Sequence, residues 1–178
     1  MKVLVTYATK NGSTAGIANM IGAALTDTGA AVDIKPAAQV GSVAPYDAVI
    51  LGGALYAGRW HRDARRFARR YADQLRTRPV WLFSSGPLDD SADTREIPPV
   101  GQAARVARQL NARQHVTFGG RLTENAKGFI ARSMVRSGHG GDFRNPARID
   151  AWSRSIADEL RPNEPPESTM DSYGRGAP

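Results

Sequence analysis

The chain has 178 residues, 41% of them hydrophobic and 23% charged, with 24 basic against 17 acidic side chains for a formal net charge of +7; this is a globular composition of one-domain size. It has no cysteine, which excludes disulfides, thiolate zinc sites, iron–sulfur clusters and cysteine nucleophiles. No apolar run approaches the roughly 18 to 20 residues that span a bilayer, and the apolar run after Met1 is too short for a secretion signal, so the expectation is a soluble cytoplasmic protein.

Residues 2–7 (Lys-Val-Leu-Val-Thr-Tyr) read as a buried strand. Ser13 or Thr14 is placed to cap a helix over about 14–28, with Ile17, Ile21, Ala24 and Leu25 at helical spacing and Gly29 closing it. Residues 31–34 form a second strand and 47–53 a third, which ends in Gly52 and Gly53. A helix over 62–77 follows, with Ala64, Phe67, Ala68, Tyr71 and Leu75 on one face and Arg62, Arg65, Arg66, Arg69 and Arg76 on the other. Residues 79–84 make a fourth strand. A long loop over 85–97 follows, carrying Asp89, Asp90, Asp93 and Glu96. Pro98 and Pro99 open a helix ending near Leu110. Residues 115–120 give a fifth strand, 128–137 a short helix, and Asn145 with Pro146 starts a last helix whose buried stripe is Ile149, Trp152, Ile156 and Leu160. The domain spans 1–161, and the Pro- and Glu-rich tail 162–178 is expected to be disordered.

Five strands alternating with helices specify an α/β fold: a doubly wound, five-stranded parallel sheet with helices on both faces. Ligands in such sheets bind at the carboxyl ends of the strands. Three loops therefore matter. The first, Thr9-Lys10-Asn11-Gly12-Ser13-Thr14, joins a strand to a helix start, where free amides and the helix dipole suit a phosphate. It lacks the Walker A ending and the three glycines of a dinucleotide fingerprint, so a single terminal monophosphate fits it better; a capped turn without ligand is the plain alternative. The second is Gly53-Ala54-Leu55-Tyr56-Ala57-Gly58, followed by Arg59-Trp60-His61. Its glycines allow close approach to a ring. Tyr56 and Trp60 are placed either to stack on a flat heterocycle or, in preference for Trp60, to pack on the next helix. His61 is read as the cap of that helix. The third, Ser84-Ser85-Gly86-Pro87, offers backbone amides to the polar edge of a ring.

The first loop resembles the phosphate loop of flavodoxins, and Gly53 to Gly58 resembles the loop that flanks their isoalloxazine ring. A closer likeness is to the flavodoxin-like branch of bacterial menaquinone-dependent protoporphyrinogen oxidases. It is carried by Gly52 through Gly58 to Trp60-His61, by Gly119-Gly120-Arg121-Leu122 and by Gly140 to Asn145, within residues 1–160. The branch's aromatic before the second glycine is Ala57 here, and Tyr56 stands one place earlier. The resemblance implies flavin mononucleotide (FMN), with its phosphate in the first loop, its N5 against the peptides of 53–58 and its pyrimidine edge at the third loop. No side chain need act as acid or base. It implies an oxidoreductase exchanging electrons with a quinone or small-molecule substrate, or else a plain carrier serving a redox partner protein; a deazaflavin is the alternative cofactor.

The arginine face of 62–77 is the largest basic feature. Such runs usually make a solvated helix face; the alternative is a dock for an acidic redox partner or peripheral contact with an anionic membrane. It lacks interleaved aromatics, so nucleic acid is not an expected partner. The positive charge also predicts a less negative potential for full reduction of FMN than in acidic flavodoxins. Each positive charge about 10 Å away favours the added negative charge by about 0.4 kcal/mol even in water.

Overall fold

A computed structural model describes residues 1–123, 133 and 140–161. The short helix expected over 128–137, apart from Ser133, and the tail 162–178 lie outside the described residues.

Strands β1 (Lys2–Ala8), β2 (Ala31–Pro36), β3 (Ala48–Tyr56), β5 (Val80–Ser85) and β6 (Gln114–Phe118) form a parallel sheet in the order β2-β1-β3-β5-β6. The expected five-stranded parallel sheet is therefore present. The two-residue strand β4 (Arg59–Trp60) adds an antiparallel sixth member paired with the end of β3. Because β1 lies between β2 and β3, the winding reverses beside it, and the carboxyl ends of β1, β3 and β5 open on one edge.

Period-two alternation divides the strand residues between two cores. Leu4, Val49, Leu51, Val80 and Leu82 pack under helices α2 (Arg62–Arg70), α3 (Ala72–Leu75) and α5 (Gly101–Leu110). Val3, Val5, Ile50, Trp81 and Phe83 pack under α1 (Ser13–Asp27) and α6 (Pro146–Leu160). The short helix α4 (Ser91–Thr94) lies between β5 and α5. A two-stranded ribbon, β7 (Arg121–Leu122) with β8 (Gly141–Asp142), follows β6. Asn145 caps α6 as expected, its Oδ1 accepting from the Arg148 amide at 3.1 Å with Pro146 at the first helical position. No described helix is long and apolar enough to cross a membrane.

Four local expectations need correction. The helix placed over 62–77 is two helices, broken at Tyr71 (φ −111°, ψ 16°). The break leaves the buried face intact, with Ala64, Phe67, Ala68, Tyr71 and Leu75 all in the core. The helix expected to open on Pro98-Pro99 starts at Gly101, since a residue before proline is pushed out of the helical region. The last strand stops at Phe118, because Gly119 packs against the Phe143 carbonyl: an added Cβ would meet that oxygen at 1.9 Å. Residues 54–56, read as loop, continue β3 and turn back into β4 through Ala57 (φ 48°) and Gly58 (φ 70°). Two consecutive positive φ angles close a tight hairpin that matches strand twist.

Candidate functional site

Along the carboxyl edge of the sheet runs a cleft of about 670 Å³. Its walls are the β1–α1 loop, the β3–β4 hairpin, the segment after β5 and the start of β7. Twelve of the sixteen residues singled out from the sequence line it: Thr9, Lys10, Asn11, Ser13, Ala54, Leu55, Tyr56, Ala57, Gly58, Ser85, Gly86 and Pro87.

The other four lie behind the lining. Gly12 is the N-cap of α1 in the left-handed region (φ 84°), so neither Ser13 nor Thr14 caps that helix and no side chain does. The Gly12 amide is itself taken by Thr9 Oγ1 at 3.0 Å. Thr14 sits inside the first turn, fully buried, and its hydroxyl has no hydrogen-bond partner. Gly53 leaves room for the indole of Trp60, which a Cβ there would meet at 2.4 Å. Ser84 points to the opposite face of β5 from Ser85 and shares a 2.8 Å hydrogen bond with His115 Nε2.

Ser13 is the joint of the site. Its hydroxyl lies 2.8 Å from Ser85 Oγ and accepts from the Arg121 amide at 2.8 Å. That oxygen fastens the first loop to the end of β5 and to β7. On the far wall the hairpin is held by the His61 amide donating to the Ala54 carbonyl at 3.0 Å and by the Trp60 amide donating to Gln102 Oε1 at 3.0 Å. Trp60 is 1% exposed and packs with Ala64 and Phe67, so it supports the hairpin from beneath and has no face to offer a ligand. His61 caps α2, its Nδ1 accepting from the Asp63 amide at 3.2 Å; burial holds its pKa below the ordinary histidine value. Tyr56 does line the cleft, with the Lys10 ammonium 4.1 Å from its ring centroid.

Sequence reading missed Leu88, Asp89, Ser91, Arg95, Ile97, Gly120, Arg121 and Leu122, which complete the lining. The signal was available for the last three: β6 is parallel to β5, so the chain leaving it must emerge on the same edge. For Asp89 the cue was weaker. It takes hydrogen bonds from the Ser91 hydroxyl and the Ser91 amide, which hold its carboxyl below the usual range.

These residues suit a flat group with a terminal anion. The uncapped start of α1 leaves helix amides for an anion. The buried, unpartnered Thr14 hydroxyl adds a donor otherwise stranded at a cost of about 1 to 3 kcal/mol. Lys10 supplies a cation at the same loop, and Ala54, Leu55, Tyr56, Pro87, Leu88, Ile97 and Leu122 give the cleft apolar wall for a ring. Among the described residues no group of three metal-ligating side chains comes together.

The sequence matches a family model described as a flavodoxin domain over residues 4–138. Among solved structures the chain is similar to a flavodoxin from Pseudomonas aeruginosa, with a TM-score of 0.60 at 13% identity over 90% of this chain and 99% of that one. It is similar to the flavodoxin of Streptococcus pneumoniae TIGR4, with a TM-score of 0.59 at 17% identity over 90% and 100%. It also matches 36% of the rubredoxin:oxygen oxidoreductase of Desulfovibrio gigas, with a TM-score of 0.61 at 12% identity over 89% of this chain. At such identities the likeness establishes the fold. No curated protein sequence matches the chain.

Proposed function

Because the chain belongs to the flavodoxin-domain family, which binds FMN and transfers electrons, we propose that its cleft holds FMN with the phosphate at the start of α1 and that the protein passes electrons to or from a quinone or another small molecule. The observation that carries this reading is the uncapped α1 terminus with its buried, unpartnered Thr14 hydroxyl, beside a cleft walled by the Tyr56 hairpin. Bound FMN supplies a ring that takes up electrons and gives them back.

The residues of this chain divide the work. The first-turn amides of α1, the Thr14 hydroxyl and Lys10 hold the phosphate. The hairpin peptides from Ala54 to Gly58 face the ring and are kept in place by Trp60 and Gln102. Ser85, Gly86 and Pro87 close the third side. Arg95, Arg121, Leu88, Ile97 and Leu122 extend the lining beyond these three loops, which supports room for a small acceptor as well as the cofactor. The finer likeness to menaquinone-dependent protoporphyrinogen oxidases belongs to this reading, as does a cytoplasmic setting. A deazaflavin would use the same phosphate anchor.

The test begins with protein purified without added cofactor. A flavin absorption spectrum, with FMN identified after extraction, is expected; an empty or deazaflavin-loaded protein overturns the cofactor assignment. Turnover of a soluble quinone by the loaded protein then separates an oxidoreductase from a plain carrier.

A further inference from the structure

From Arg59 to Arg70 the chain carries six arginines against the single acid Asp63, most of the net charge of +7. Arg59, Arg62, Arg66, Arg69 and Arg70 are all exposed. Their neighbours further along are committed elsewhere. Arg76 donates to the Gln109 carbonyl at 2.8 Å, and Arg78 donates to the Val43 and Tyr46 carbonyls. Arg76 therefore leaves the basic face the sequence suggested, and the exposed arginines concentrate on β4 and α2, where Arg62 and Arg66 share the one carboxylate of Asp63 at 3.5 and 3.8 Å.

That concentration borders the cleft. Arg59 is the cross-strand partner of Tyr56, and the hairpin turn Ala57-Gly58 between them lines the cleft mouth. On the other side of the mouth the lining carries one acid, Asp89, beside Arg95. A partner approaching the hairpin side of the mouth thus meets concentrated positive charge, which attracts an acidic surface.

We propose that the arginines of β4 and α2 form the docking surface for an acidic protein partner, seated over the hairpin side of the cleft. A lipid surface fits less well. The apolar residues of α2, Ala64, Phe67 and Ala68, are all buried, and the exposed large hydrophobics among the described residues are Met1 and Ile34, on and beside β2. Membrane-surface helices need an apolar face to insert. Single-stranded nucleic acid wants exposed aromatics to stack on, and α2 shows none: Phe67 and Tyr71 are buried. The purpose of the contact rests on the electron-transfer reading above; the contact itself rests on charge placement alone.

The experiment is a calorimetric titration of the full chain with an acidic [2Fe–2S] ferredoxin as probe, at low and at physiological ionic strength, whether or not FMN is bound. The variant Arg62→Glu/Arg66→Glu is compared with Arg154→Glu/Arg161→Glu, which removes the same charge from α6 and its end. Binding that weakens with salt, and falls about tenfold or more in the α2 variant but not in the α6 variant, is expected. Equal loss in both variants, or no binding, overturns the proposal. So does self-association of the chain, or co-sedimentation with phosphatidylserine vesicles, that alone responds to the α2 change. A chain that fails to take up added FMN yet binds the probe through α2 would defeat the cofactor assignment and leave the dock standing.

Discussion

The Lys10 ammonium lies 4.1 Å from the centroid of the Tyr56 ring, so the β1–α1 loop and the hairpin are joined across the cleft by a cation–π contact. Replacing Lys10 with Met removes that contact and the cation proposed to face the FMN phosphate. FMN affinity is expected to fall about tenfold, while the FMN-free protein loses no more than about 1 kcal/mol. Fluorescence titration with FMN and urea unfolding read the two effects separately. Unchanged affinity would take Lys10 out of the site.

Thr14→Val should split stability from binding. The hydroxyl is buried and has no partner, so its removal leaves the FMN-free protein as stable as before or up to about 1 kcal/mol better. Retention of FMN through gel filtration should drop. If the variant is destabilised and binds normally, the hydroxyl serves the fold instead of the anion.

The hairpin offers an opposed pair of changes. Ala57 sits at φ 48°, a region a Cβ disfavours by roughly 1 to 2 kcal/mol; Ala57→Gly should raise the melting temperature, with a gain near 1 kcal/mol after glycine's extra chain entropy. Gly53→Ala drives a Cβ into the packed Trp60 indole and should cost about 1 to 3 kcal/mol. Thermal melts of both variants, compared with the parent, decide whether the turn is strained as its angles indicate.

His115 predicts a pH dependence of stability. Burial lowers its pKa from 6.5 to about 4, with Nε2 bonded to Ser84 and Nδ1 buried without a partner. Between pH 6.5 and 4 the unfolded chain binds a proton that the folded chain refuses, so stability falls as pH drops through that window, by about 3 kcal/mol in all. Above pH 6.5 the effect vanishes. His115→Gln should flatten this part of the urea-unfolding profile; a variant that keeps the full slope would assign it to other groups.

The layered architecture was legible because its strands are β-branched runs and its helices have clear apolar stripes, as in Val3-Leu4-Val5 and in Ile17, Ile21 and Leu25. The site loops were legible from topology, since parallel strands place their carboxyl ends together. Details that depend on distant partners were not. Nothing local in Leu55-Tyr56-Ala57-Gly58 signals a two-residue turn, which usually carries Asn or Asp before its glycine. The break at Tyr71 has no proline or glycine to announce it. Ser84 and Ser85 could have been separated, because neighbours in a strand face opposite ways; which one met the cleft needed the position of α1.

The Ser13 hydroxyl meets Ser85 and the amide of Arg121 at one oxygen. A polypeptide emerging from the ribosome presents position 13 more than a hundred residues before position 121. The rim of the cleft therefore cannot be tied off by a nascent fragment that ends before β7. Flavin uptake during translation would report a polypeptide extended past β7, and fragments truncated ahead of Arg121 should stay colourless even where their first strands and helices have formed.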